Sequence, residues 1–274
     1  MKEIKDLLEF SIINIDKPTG PTSFSITEYI KRSLKLTKAS HMGTLDPKVT
    51  GVLPITLGRA CRLAQFIIAH DKSYVGILHT HKEQDIEELR KLIQENFVGE
   101  ITQTPPHKSA VKRAPRQRTV FYFNLLETTD NKDFLFETKV EGGTYIRKIC
   151  SDVGEMIGGA HMDELRRTQA GDFTEDGMIN LNDFDKIKNN PEELKKYLTP
   201  ADVAIKKILP TLKLDKLNKR FLLTGKPLLN QDVVEKTNFK EGDFFVLTIN
   251  EEFIGVYKKV NLDGIFAKPE FVYN

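Results

Sequence analysis

The chain has 274 residues, 39% of them hydrophobic and 29% charged, with a formal net charge of +2. This is the composition of an ordinary globular protein, long enough for a core and for two domains. No apolar run approaches the roughly 20 residues of a membrane span, and a charge so near zero gives no global argument for nucleic acid.

The opening, Met1 to Asp6, is too charged for a signal peptide and reads as a short helical lead-in over residues 1–10. A cytosolic or nuclear compartment is expected. Ser11 to Ile15 reads as a strand, followed by the Pro/Gly-rich turn Asp16 to Ser23. Ser25-Ile26-Thr27-Glu28 has the form of a capping box, and Ile26, Tyr29, Ile30 and Leu34 recur at helical spacing to about Leu36. Val52 to Leu57 is apolar and predicts a strand, Arg59 to Ala69 a second helix, and Lys72 to Thr80 another strand. Asp85-x-x-Glu88 caps a third helix with Ile86, Leu89, Ile93 and Phe97 on one face. Strands follow over Gly99–Thr102, Thr119–Glu127 and Phe134–Val140, then a helix from Thr144 to Ile157 ending at Gly158-Gly159. Ala160 to Phe173 reads as extended. Strands and helices mix without a regular βαβ rhythm. This predicts an α+β fold whose sheet is mixed, largely antiparallel and flanked by helices.

From Asn180 to Leu209 the chain is rich in Lys, Asn and Asp. Asn190-Pro191 and Thr199-Pro200 each read as a cap followed by a first-turn proline. The expected organisation is a domain over residues 1–208 and a small β-rich one over 209–274. In the latter, Lys216–Leu223 predicts a helix, and Phe244–Ile249 and Phe253–Val260 predict strands.

The chemistry centres on Ser40 to Pro54. One acid, Asp46, is stiffened by Pro47, between the glycines Gly43 and Gly51 that free the backbone and the hydroxyls of Thr44 and Thr50. A carboxylate on a stiff loop above a strand is a common mounting for a catalytic group. Taken alone, Asp46-Pro47 also reads as an ordinary turn. Charge is unevenly spread: Gln103 to Arg118 holds Lys108, Lys112, Arg113, Arg116 and Arg118 with His107 and no acid. Such a stripe can neutralise several phosphates. Cys61 and Cys150 read as reduced thiols, and no Cys/His cluster has zinc spacing.

Ser40-His41-Met42-Gly43-Thr44-Leu45-Asp46-Pro47 resembles the signature of the TruB family of pseudouridine synthases, with Ser40 where the family usually has Gly. Gly142 to Arg147 resembles the family's Gly-Thr-Tyr-Ile-Arg motif, and Lys17-Pro18 its Lys-Pro motif. Pro105-Pro106-His107-Lys108-Ser109-Ala110-Val111-Lys112-Arg113 and Ala160 to Arg167 are similar to the archaeal and eukaryotic, dyskerin-type branch, although Phe24 replaces a histidine that branch often has. The resemblance implies an RNA isomerase that needs no metal or cofactor. It implies Asp46 as the catalytic carboxylate, acting as nucleophile or base, with Tyr74 as a base-stacking ring and Arg147 pairing with the aspartate. It further implies that Lys17 supports the loop or faces RNA, that His41 meets the RNA as the base flips out, and that Leu165 lines the uracil pocket. Lys108, Lys112, Arg113 and Arg116 would bind RNA. Leu223 to Pro227 and Glu241-Gly242-Asp243 resemble a PUA domain, a small RNA-binding β-barrel.

The implied partners are a box H/ACA guide RNA, an rRNA or tRNA substrate and the small proteins of that ribonucleoprotein, with no membrane. The alternatives are a guide-independent synthase for the T-arm uridine of tRNA and, in another class, a non-catalytic RNA-binding scaffold.

Overall fold

The computed structural model describes residues 3–68, 70–104, 114–215, 219–233 and 237–274. The chain divides into two compact units, Met1–Leu198 and Thr199–Asn274.

The first unit is α+β. It opens with a short helix, α1 (Ile4–Glu9), and strand β1 (Ser11–Lys17). Helix α2 (Ser23–Ser33) follows. Its cap is Thr22, whose hydroxyl accepts from the Ser25 N–H at 3.0 Å, so the helix begins ahead of the expected Ser25 box. Strands β2 (Ala39–His41) and β3 (Thr50–Leu57) flank the Asp46 loop. The helix expected over Arg59–Ala69 is instead a 3-10 turn (Gly58–Leu63) and a single α turn, α3 (Ala64–Ile67); Ala69 lies outside the described residues. Ala60 and Leu63, three apart and both buried, suit the three-residue repeat of that turn.

β4 (Lys72–Thr80) buries every second residue, as a strand with one covered face must. Helix α4 (Ile86–Phe97) is capped by Asp85, which accepts from the N–H groups of Glu87 and Glu88. β5 (Gly99–Gln103), β6 (Arg116–Thr128) and β7 (Asp133–Val140) form an antiparallel meander. Helix α5 (Ile146–Ile157) points Ile146, Ile149, Cys150 and Val153 inward and stops at Gly158, left-handed with φ 87°. β8 (Ala160–Ala170), β9 (Phe173–Thr174) and β10 (Ile179–Asn180) precede helices α6 (Leu181–Ile187) and α7 (Pro191–Lys195).

The sheet runs β10-β1-β3-β8-β4-β7-β6-β5. Pairing along it is antiparallel except at β1–β10 and β3–β8. One apolar cluster joins β4, β6, β7 and β8 to α4 and α5; a second joins β1 and β3 to α2, α6 and α7. The Asp46 loop lies between them, with Leu45 and Val49 anchored in the first and Leu53, Ile55 and Leu57 in the second.

In the second unit, helix Ala201–Ile208 begins after Pro200, which occupies the cap position itself. Thr199 belongs to the strand Leu198–Pro200, so the expected Thr199 cap is absent. A five-stranded sheet carries Thr211–Leu214 parallel to Phe244–Ile249, followed by Glu252–Leu262, Ile265–Val272 and Leu228–Leu229, all antiparallel. Leu228, Phe245, Leu247, Ile254 and Tyr257 form its core. Among the described residues, no helix is long and apolar enough to cross a membrane.

Gly51 marks the tightest crossing near the loop. Its φ is +97°, and a Cβ there would stand 2.2 Å from the Arg167 carbonyl oxygen. Neither backbone can yield without breaking the β3–β8 pairing. Gly51→Ala is expected to destabilise the first unit by at least ~2 kcal/mol, read as a lower urea midpoint for its unfolding.

Candidate active site

Asp46 projects from a loop whose flanks are buried. Leu45 is 4% exposed and Val49 3%, whereas the Asp46 side chain is 47% exposed. A turn, Val49 N–H to the Asp46 carbonyl at 3.0 Å, shapes the tip. An irregular loop leaves inward carbonyls without a strand partner, and buried polar groups require one. Three side chains supply it. Lys17 is fully buried, and its Nζ donates to the carbonyls of Pro18 (3.0 Å), Pro47 (3.0 Å) and Val49 (2.8 Å). Arg167, 1% exposed, donates from Nε to Val52 (2.7 Å) and from Nη2 to Gly43 (3.0 Å). The Ser23 hydroxyl donates to the Leu45 carbonyl (3.0 Å) and accepts from the Leu45 N–H (2.8 Å).

Arg147 meets Asp46 from the first turn of α5, Nη2 to Oδ2 at 2.6 Å. Both side chains are about half exposed, so water screens the attraction; the pair orients the carboxylate more than it stabilises the fold. Tyr74 is 7% exposed in β4 and sits directly across from Arg167 in β8. Leu165, across from Gly76, shares a buried cluster with Tyr74, Leu45 and Val49.

His41, at the end of β2, bridges two threonines: Nδ1 to Thr27 Oγ1 and Nε2 to Thr44 Oγ1, each 3.1 Å. Thr27 already donates its only hydroxyl proton to the Ser23 carbonyl, so Nδ1 is the donor to Thr27. Nε2 of the neutral ring then accepts from Thr44. Burial, and secondarily the Arg167 charge, hold the imidazole below the usual histidine range, which fits this neutral tautomer.

Sequence reasoning thus finds residues that the fold brings together: Asp46 with Arg147, and Tyr74 with Leu165. It overreaches on Lys17, whose RNA-facing option fails because the ammonium is buried and committed to three carbonyls. Arg116 opens β6 opposite Gln103, at the foot of the basic stretch. Lys108, Lys112 and Arg113 lie outside the described residues. Ser23, Arg167 and Lys72 go unassigned from the sequence. Arg167 had a signal: it lies two residues from inward-facing Leu165 on one strand, so it faces inward too. Among the described residues, no cluster of His, Cys, Asp or Glu is arranged to hold a metal.

A half-exposed carboxylate held by a guanidinium, on a loop tied down by buried cations, has the form of a mounted catalytic group. Comparison with known proteins gives the class. Residues 31–146 match the TruB family pseudouridylate synthase N-terminal domain, and residues 147–206 match the tRNA pseudouridylate synthase B C-terminal domain. The chain belongs to the TruB family and is an RNA isomerase, a pseudouridine synthase. The probable tRNA pseudouridine synthase B of Nanoarchaeum equitans (strain Kin4-M) is 39% identical, over 98% of this chain and 83% of that protein. A crystal structure of a Cbf5-Nop10-Gar1 complex contains a chain that is 35% identical with a TM-score of 0.86, covering 99% of this chain and 87% of that one. In an H/ACA RNP bound to a substrate RNA containing 2′-deoxyuridine, the matching chain is 33% identical with a TM-score of 0.84, covering 100% and 88%.

Lys72 supplies a pH test of the packing behind the loop. It is 8% exposed, and its Nζ donates to the carbonyls of Ile68 (2.9 Å) and His70 (2.8 Å). Burial first, then the Arg167 charge, lower its pKa from 10.5 to about 8, with Asp71 opposing. Between those two values the unfolded chain binds more protons than the folded one, so the Lys72 contribution to stability rises with pH in that window. Wild type is therefore expected to gain stability relative to Lys72→Met between pH 8 and 10. Urea midpoints of both proteins at several pH values check this.

Proposed function

We propose that Asp46 is the catalytic carboxylate and acts at the sugar–base junction of a uridine extruded from its RNA. The isomerisation breaks the bond between N1 and C1′, turns the uracil and joins C5 to C1′. The C5 proton leaves to water and N1 takes one up, so no co-reactant is consumed. Asp46 acts as nucleophile or base at the sugar, and Arg147 keeps its carboxylate aimed. The ring of Tyr74 stacks on the base, its hydroxyl serves proton transfer, and Leu165 lines the pocket that holds the detached uracil. His41 meets the RNA as the base leaves its stack, a step costing a few kcal/mol. Lys108, Lys112, Arg113 and Arg116 bind phosphates.

What supports this reading above all is the 2.6 Å Arg147–Asp46 contact, half open to solvent on a loop whose backbone is fixed by buried cations. A non-catalytic scaffold would have no need to hold a carboxylate open in that way.

We further infer that the chain is the catalytic subunit of a box H/ACA guide ribonucleoprotein, with small partner proteins and with residues 209–274 as a PUA-like RNA-binding unit. The support is that both solved relatives cover essentially this whole chain, second unit included. It acts in the cytoplasm of an archaeal cell, or in the nucleolus if its host is eukaryotic. A second reading, guide-independent modification of tRNA, is favoured by the name of the Nanoarchaeum equitans relative.

Tritium release from RNA labelled at C5 of uridine separates these. Release from a guide–substrate pair with partner proteins, and none from tRNA alone, is expected. Release from tRNA alone favours the second reading. Asp46→Asn is expected to lower release by at least ~1000-fold while RNA remains bound; a wild-type rate would overturn the role of Asp46. Lys112→Glu with Arg113→Glu is expected to weaken RNA binding and to flatten the slope of log K against log salt by ~2. An unchanged slope would remove the basic segment from the RNA contact.

A further inference from the structure

The two halves of the Asp46–Arg147 pair are mounted separately. The Asp46 loop is tied down by Lys17, Ser23 and Arg167. Arg147 depends on where α5 begins. That helix starts at a cap residue, Tyr145, whose own side chain makes no capping bond. A helix start leaves backbone N–H groups without partners.

Here a distant side chain fills the gap. Gln103, the last residue of edge strand β5, is only 3% exposed. Its Oε1 accepts from the Tyr145 N–H at 3.0 Å, and its Nε2 donates to the Tyr145 carbonyl at 3.2 Å. Both ends of one amide grip the same residue, as a neighbouring strand would. The Tyr145 carbonyl is also the one that accepts the first helical bonds, from Lys148 at 3.0 Å and Ile149 at 3.2 Å. Two residues on, Arg147 reaches Asp46. Of the common side chains of this length, only glutamine offers a donor and an acceptor side by side; ionised glutamate offers acceptors alone and methionine neither.

We propose that Gln103 is a positioning residue for the isomerisation: by clamping Tyr145 it sets the start of α5 and so the approach of Arg147 to Asp46. This rests on the assignment of Asp46 and Arg147 given above.

The test uses the full chain with the RNA and partners that give wild-type turnover. Gln103→Ala is expected to lower kcat by ~10–100-fold with KM within ~2-fold, because displacements of about an ångström at a reacting group cost that much. On an Arg147→Ala background the same change is expected to cost less than ~2-fold, since the residue it acts through is gone. Gln103→Glu supplies the sharper readout. A buried carboxyl beside a carbonyl has a raised pKa, and once protonated it both donates and accepts. The deficit of Gln103→Glu relative to wild type is therefore expected to shrink as pH falls from about 8 to about 6, while that of Gln103→Met stays constant.

A Gln103→Ala kcat within twofold of wild type, a full additional loss on the Arg147→Ala background, or parallel pH profiles for the Glu and Met variants would each overturn the proposal. If these occur while Asp46→Asn is inactive, the role of Asp46 stands and only that of Gln103 falls. If Asp46→Asn is active at the wild-type rate, both fall.

Discussion

The site depends on one requirement: the inward carbonyls of an irregular loop must be satisfied without water. The chain meets it with two buried cations and a hydroxyl. Lys17 gathers Pro18, Pro47 and Val49, Arg167 gathers Val52 and Gly43, and Ser23 closes both backbone groups of Leu45. Burying an ammonium or guanidinium carries a desolvation penalty of several kcal/mol. That penalty is visible in the depressed proton affinity of Lys17, where burial outweighs the opposing charge of Asp46. Charge-assisted bonds to carbonyls offset it, and are strong where water is excluded. The result is a loop that behaves like part of the sheet.

Above this layer the chemistry is reversed. Asp46 and Arg147 are half exposed and touch each other, so they are open to solvent and, in the proposed mechanism, to an incoming uridine. Rigidity sits beneath and access sits above, which is what a pre-organised carboxylate requires. The parallel β3–β8 junction brings the layers together. It sets Gly51 against Arg167, so that the Arg167 side chain reaches the loop carbonyls while Leu165, two residues earlier on the same strand, joins the apolar cluster.

His41 and Tyr74 link the layers. His41 is held by one threonine of α2 and one of the loop, as a neutral ring with its proton on Nδ1. Tyr74 sits in the apolar cluster, directly across the β4–β8 pairing from the buried Arg167. Each joins a mobile chemical role, in the proposed mechanism, to a group that is part of the fold.

Much of this is legible in the residues. The alternation in Lys72–Thr80, the Asp85 cap and the Gly158 stop give elements close to those observed, because period, capping and left-handed glycine are local properties. Local reading fails where tertiary context takes over, as at the 3-10 turn after β3 and at the Thr22 cap. By itself the sequence determined the fold class and the loop that carries Asp46, since periodicity and turn chemistry are carried by neighbours along the chain; Arg147 as partner of Asp46 came from the resemblance to the TruB family, because the two lie far apart in sequence. Only the tertiary structure decided that Lys17 is a buried clamp, that Arg167 and Ser23 share its task, and that Gln103 reaches Tyr145. Those roles arise from which carbonyls are left unpaired when separated segments meet, and no stretch of sequence contains that information alone.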